Sequence, residues 1–106
     1  MTTTKLEKVA ESNYTNWIRD KTVCMSLKLN VMGLRGFPDR ITLCPMGRVY
    51  FVEFKREGKK PRKMQEYIHR MLRSLGFLVL VTDSAEEAKA FHDKFISAAR
   101  LPDKGD

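Results

Sequence analysis

Long apolar runs are missing from this chain of 106 residues. A membrane-spanning helix needs ~20 consecutive apolar residues, and nothing here approaches that length. The opening Met1 to Lys8 is polar and lacks the apolar core of a secretory signal, so the expectation is a cytoplasmic protein with no membrane partner. Cysteine is scarce as well. Cys24 and Cys44 have no zinc-motif spacing and read as reduced thiols packed in strands; their spacing leaves open whether they meet. Repeats and low-complexity segments are absent. Acidic residues fall short of basic ones, 13 against 20, which leaves a net charge of +7 and a pI near 9.7. What remains, 42% apolar and 31% charged residues in one short chain, describes a single globular domain with a modest core.

The basic excess is local. From Glu53 to Arg73 there are eight basic residues (Lys55, Arg56, Lys59, Lys60, Arg62, Lys63, Arg70, Arg73) and three acidic ones. Such a cluster is either a solvated face or the electrostatic footprint of a nucleic-acid site.

Beside it lies the most informative stretch. Two apolar runs, Ile41 to Cys44 and Val49 to Phe54, are joined at Pro45-Met46-Gly47-Arg48 and read as a β-hairpin. Alternation along the second arm puts Glu53 and Lys55 on one face, Val52 and Phe54 on the other. Gly36 and Pro38 fix the backbone entering the first arm, so pairing of the arms can bring Asp39 close to Glu53. Two adjacent carboxylates call for a compensating cation, and oxygen ligands suit a hard ion such as Mg²⁺. With a lysine alongside, this is the outline of a metal-assisted phosphodiester hydrolysis site. The plain alternative is an Asp opening a strand and a Glu-x-Lys pair on an exposed sheet face.

Elsewhere, apolar spacing predicts a helix from Leu6 to about Asp20 and a strand from Thr22 to Asn30. On that strand Val23, Met25, Leu27 and Leu29 form the apolar face; Lys28 shares the polar face with Glu53 and Lys55. Val31 to Arg35 is a flexible link. The basic loop Arg56 to Lys63 leads into an amphipathic helix, Met64 to Leu75, with Met64, Ile68, Met71, Leu72 and Leu75 as its apolar stripe and Gly76 as its stop. Gln65 lies in its first turn, and His69 reads as a surface or core histidine. Phe77 to Thr82 is expected as a central strand parallel to Val49–Phe54. Ser84 and Glu87 form a capping box opening a last helix to about Ala99. Residues 1–5 and 101–106 read as flexible ends. The fold class is α/β: a mixed four-stranded sheet flanked by helices.

Gly36-Phe37-Pro38-Asp39, then Glu53-Phe54-Lys55, then Gln65 opening a helix, resembles the PD-(D/E)XK nuclease superfamily. More narrowly it is similar to the small stand-alone VRR-NUC domain, the virus-type replication-repair nuclease, over roughly residues 7–84. The resemblance implies a restriction-endonuclease-like core. It implies Asp39, Glu53 and the backbone carbonyl of Phe54 as ligands of one or two Mg²⁺ or Mn²⁺ ions. Lys55 would activate water, with Gln65 assisting. A carboxylate from the opening helix would complete the shell, Glu11 being chosen over Glu7. DNA would be held by Lys28, Arg35, Arg40, Arg56, Lys59, Lys60, Arg62 and Lys63. The implied function is a homodimeric Holliday-junction resolvase cutting four-way or other branched DNA in a phage-infected or bacterial cell. A nicking, flap or end-trimming nuclease and a catalytically silent DNA-binding module are the competing readings.

Overall fold

A computed structural model describes residues 2–55 and 59–100. The elements are α1 (Thr2–Lys21), β1 (Met25–Lys28), β2 (Arg40–Cys44), β3 (Arg48–Phe54), α2 (Lys63–Ser74), β4 (Leu78–Thr82) and α3 (Ala85–Arg100). The strands form one sheet in the order β1-β2-β3-β4, antiparallel except for the β3–β4 pair, which is parallel. The α/β class with a mixed four-stranded sheet is therefore as expected.

The hairpin forms where the turn residues demand it. Pro45 to Gly47 make one tight 3₁₀ turn, with Met46 and Gly47 both in the left-handed region at φ +70° and +74°. Cys44 then pairs with Arg48 and Arg40 with Val52. Because paired residues share a face, Thr42, Tyr50, Val52 and Phe54 turn toward α1 and α3. There the last three join Tyr14, Ile18, Ala88 and Phe95 in the larger core cluster, and Thr42 is hydrogen-bonded to the Tyr14 hydroxyl. The opposite face carries Phe51 and Val79 beneath Ile68 and Leu72 of α2. Glu53 lies on this second face, one step along from Phe51.

Several expectations need correction. β1 is shorter than Thr22–Asn30, and its faces are reversed. Lys28 pairs with Arg40, and Arg40 with Val52, so Lys28 lies on the α1 face and not with Glu53 and Lys55. Val23, Met25 and Leu27 are consequently exposed, because the small cluster under α2 is built on β3 and β4. β4 is an edge strand, not a central one, which leaves Leu78 exposed. The stripe α2 buries is Ile68, His69 and Leu72, while Met64, Met71 and Leu75 face out. α2 is rotated so that Gln65 and His69, polar residues one turn apart, face the sheet rather than water. α1 already begins at Thr2, within the end expected to fray. At α3, Ser84 Oγ accepts the Glu87 N–H at 3.1 Å as a capping box requires. The Glu87 carboxylate, however, bonds Thr82 Oγ1 instead of returning to Ser84, whose own N–H donates to Thr82 Oγ1 at 3.0 Å. The expectations for Arg56 and for 101–106 lie outside the described residues.

Candidate active site

The turn before β2 is where the site starts. Gly36 has φ +89°, and a Cβ there would stand 2.7 Å from the backbone oxygen of Met64. Only glycine lets this turn lie against the first turn of α2. Phe37 packs edge-on to Phe51 at 5.7 Å between ring centroids, and Pro38 is fully buried behind it. The turn thus delivers Asp39 rigidly to the end of β3, where its Oδ2 accepts the Phe54 N–H at 3.0 Å. The Asp39 carbonyl accepts the Leu29 N–H at 2.7 Å, which carries the β1–β2 pairing one step further.

Glu53 comes from β3 and is almost fully buried. Its Oε2 accepts the Gln65 Nε2–H at 3.0 Å and lies 3.5 Å from Lys55 Nζ. Its Oε1 is buried with no hydrogen-bond partner among the described residues. Burial, and then the neighbouring Asp39 charge, push the Glu53 carboxyl up to about 7, against the opposing pull of Lys55. Asp39 is raised as well, first by its own burial, even though the Phe54 N–H and Lys28 act against that. Two carboxyls are therefore held together in a poorly solvated place that favours their protonation. An orphaned buried carboxylate oxygen beside a second carboxylate is an all-oxygen donor set, and it fits a hard divalent cation.

Gln65 lies at the site as expected. Its Oε1 accepts the Arg62 N–H at 2.9 Å while its Nε2 donates to Glu53, so it joins the α2 cap to the acid. Glu11 reaches β1 and β2 from α1. Its Oε2 is 2.8 Å from Arg40 Nη1 and 2.9 Å from Lys28 Nζ, and those two cations outweigh burial to lower its pKa. Arg40 also donates to Ser26 Oγ at 2.9 Å and is largely buried, so its guanidinium is committed inside the protein. This departs from the open DNA-contacting surface expected of it. Lys28, Arg35, Lys59, Lys60, Arg62 and Lys63 are exposed. The Phe54 side chain is buried among the larger core, as alternation requires.

Of the two expectations for His69, surface or core, the structure gives the second. It is buried, its Nε2 has no partner among the described residues, and Arg73 and Lys55 add to burial in lowering its pKa. Gln65 and His69 stand at i, i+4 on one helix face.

No protein-family profile matches the chain. Over 54 residues it is 44% identical to a protein named "Putative nuclease p44" from Acyrthosiphon pisum secondary endosymbiont phage 1. That match covers 51% of this chain and 58% of the phage protein, so the chain spans less than two thirds of that relative. A solved structure described as a VRR_NUC domain superposes with a TM-score of 0.66 and 26% identity, covering 86% of this chain and 94% of that one. The chain thus shares the fold of a VRR_NUC domain, and within that fold its own Gly36–Asp39 turn, Glu53–Lys55 strand and Gln65 follow one another in chain order.

Proposed function

We propose that this domain hydrolyses phosphodiester bonds in DNA with a divalent cation, Mg²⁺ or Mn²⁺, held by Asp39 and Glu53. The observation that carries this reading is the convergence of those carboxyls with Lys55, Glu53 Oε1 being buried with no hydrogen-bond partner among the described residues. A hard cation there supplies compensating charge for the phosphate and acidifies water. The chain's own groups do the rest. Glu53 is fixed by Gln65, so its free oxygen points in one direction. Asp39 is fixed by the Phe54 N–H, and the carbonyl of Phe54 is the third ligand in this reading. Lys55 stands beside Glu53, where its ammonium can orient an attacking water and offset charge growing on the phosphoryl oxygens. The water oxygen would bond to phosphorus as the phosphorus–oxygen ester bond on the far side breaks, the water's proton passing to solvent and the departing oxygen taking one from solvent. Glu11 orders Arg40 and Lys28 next to Asp39, and it would be the further carboxylate available to the cation.

The substrate we assign is branched DNA, four-way junctions in particular, cut by a two-fold homodimer that supplies two equivalent sites. Exposed Val23, Met25 and Leu27 at the β1 edge support an interface, and Lys59, Lys60 and Lys63 support phosphate contacts. The test is incubation with labelled four-way junction, flap, duplex and single strand in Mg²⁺, Mn²⁺ or EDTA, alongside light scattering. Expected are paired symmetric nicks in the junction, none in EDTA, none with Glu53→Gln, and a dimeric particle. Single uncoupled nicks from a monomer would remove the resolvase assignment and leave a nicking enzyme. Tight DNA binding without cleavage in either metal would leave only a binding module.

A further inference from the structure

We propose that Cys24, Cys44 and His92 form a second metal site, selective for Zn²⁺, at the end of the sheet away from the carboxylates. This site is independent of nuclease activity. β1 pairs with β2 so that Met25 faces Leu43, and one step further the register sets Cys24 opposite Cys44. α3 brings His92 Nε2 to 3.8 Å from Cys24 Sγ, and one ligand atom from each of the three residues lies within 4.8 Å of the others. Around a tetrahedral zinc, sulfur and nitrogen ligands stand about 3.5–3.8 Å apart, so small side-chain adjustments complete the geometry.

The imidazole is already aimed. Its Nδ1 is hydrogen-bonded to Tyr50 Oη at 2.8 Å, and Tyr50 Oη is 2.8 Å from Tyr14 Oη, deep in the core. This is the outer-shell arrangement that orients a metal-ligating histidine through its second nitrogen. Trp17 stands edge-on to the same ring at 5.5 Å. The donor chemistry separates the two sites. Two sulfurs and a nitrogen select a thiophilic ion, whereas Asp39 and Glu53 offer oxygen alone. Distance separates them too, since Cys44 lies five residue steps along the strand from Asp39, roughly 17 Å at strand rise.

Three protein ligands leave a fourth position. A cavity of about 610 Å³ opens beside the cluster, lined among others by Trp17, Met46 and Asp93, and it has room for water or an added donor there. Binding is balanced as two thiols and Zn²⁺ giving two zinc-bound thiolates and two released protons. The ion would tie the approach to β1, the end of β2 and α3 together. No short motif announces it, because the ligands come from three separate parts of the chain.

The test uses the whole chain, reduced and stripped of metal, titrated with Co²⁺ as a spectroscopic probe and then with Zn²⁺. Expected are thiolate-to-cobalt charge-transfer bands and tetrahedral d–d bands saturating at one equivalent, bleached by Zn²⁺, and an upward shift in Tm with Zn²⁺. The bands should persist in Asp39→Asn and disappear in Cys44→Ser, a half-buried position where serine nearly preserves shape. His92→Gln serves as the second ligand variant. In the unmutated chain, Zn²⁺ should shield both thiols from alkylation whatever the folding of the variants. A protein without thiolate bands at saturating cobalt, bands lost in Asp39→Asn but kept in Cys44→Ser, or thiols alkylated equally fast with and without Zn²⁺ would overturn the proposal.

Discussion

Gln65 Nε2 donates to Glu53 Oε2 at 3.0 Å, while the other end of the same amide accepts the Arg62 N–H at 2.9 Å. One side chain therefore closes the start of α2 and fixes the acid on β3. Gln65→Ala should cost about 1 kcal/mol from the lost cap bond, seen as a lower Tm. It should also lower the cleavage rate at saturating DNA and raise the metal concentration needed. A variant that loses stability but cleaves normally would show that Glu53 holds its position without the amide.

The raised Glu53 carboxyl makes stability depend on pH. Its ordinary value is 4.5 and its folded value about 7, so the folded state holds a proton that the unfolded chain releases across that window. In metal-free protein this contribution should fall as pH rises from about 4.5 to 7 and stay flat above, by up to about 3 kcal/mol. His69 and His92 have lowered pKa values and work the other way, losing stability as pH falls below the usual histidine range. Denaturant unfolding of the wild type against Glu53→Gln isolates the Glu53 part: in EDTA the variant should become relatively more stable as pH rises. Identical pH profiles would mean that folding does not shift the Glu53 carboxyl. Divalent metal should bind more weakly below pH 7 for the same reason, since protons compete for the same oxygens.

Gly36→Ala should be much worse than Gly33→Ala. Both glycines have positive φ, but a Cβ on Gly36 meets the Met64 backbone at 2.7 Å, whereas one on Gly33 meets nothing within 4 Å. Left-handed strain alone applies at Gly33; at Gly36 the turn must also move off α2, for roughly 1–3 kcal/mol in all. Thermal unfolding measures the difference, and cleavage should fall only with the Gly36 change, because Asp39 is carried on that turn. Equal losses at the two positions would exclude a role for the close approach of Gly36 to Met64.

Arg40 and the basic loop should separate stability from binding. Arg40→Ala removes bonds to Glu11 and to Ser26 from a mostly buried site and should cost about 1–3 kcal/mol of stability. Replacing exposed Lys59, Lys60 and Lys63 with Ala should leave Tm nearly unchanged. It should flatten the salt dependence of DNA binding, by about 0.9 in log–log slope for each phosphate that is no longer neutralised. An unaltered slope would mark the loop as a solvated surface, and an unaltered Tm in Arg40→Ala would return that residue to the set available for DNA.

The hairpin, the Asp39-to-Glu53 approach, the crossover helix and the fold class are all legible in the sequence. They follow from local rules: turn residues at Pro45–Gly47, period-two alternation through Phe54, and a helical repeat after Pro61. How far each layer reaches is settled by tertiary packing instead. The α2 contacts rest on Phe51 and Val79, so the apolar side of β1 is left exposed, and the helix rotates to put Gln65 over Glu53 and to bury His69. Periodicity reports that a face is apolar, not which partner covers it. The pairing of Arg40 with Glu11, which withdraws a basic residue from the surface, required α1 to cross β1 and β2. The meeting of Cys24, Cys44 and His92 required α3 to pack on the same sheet face, since Cys24 and His92, 68 positions apart, carry no mark of it in their spacing.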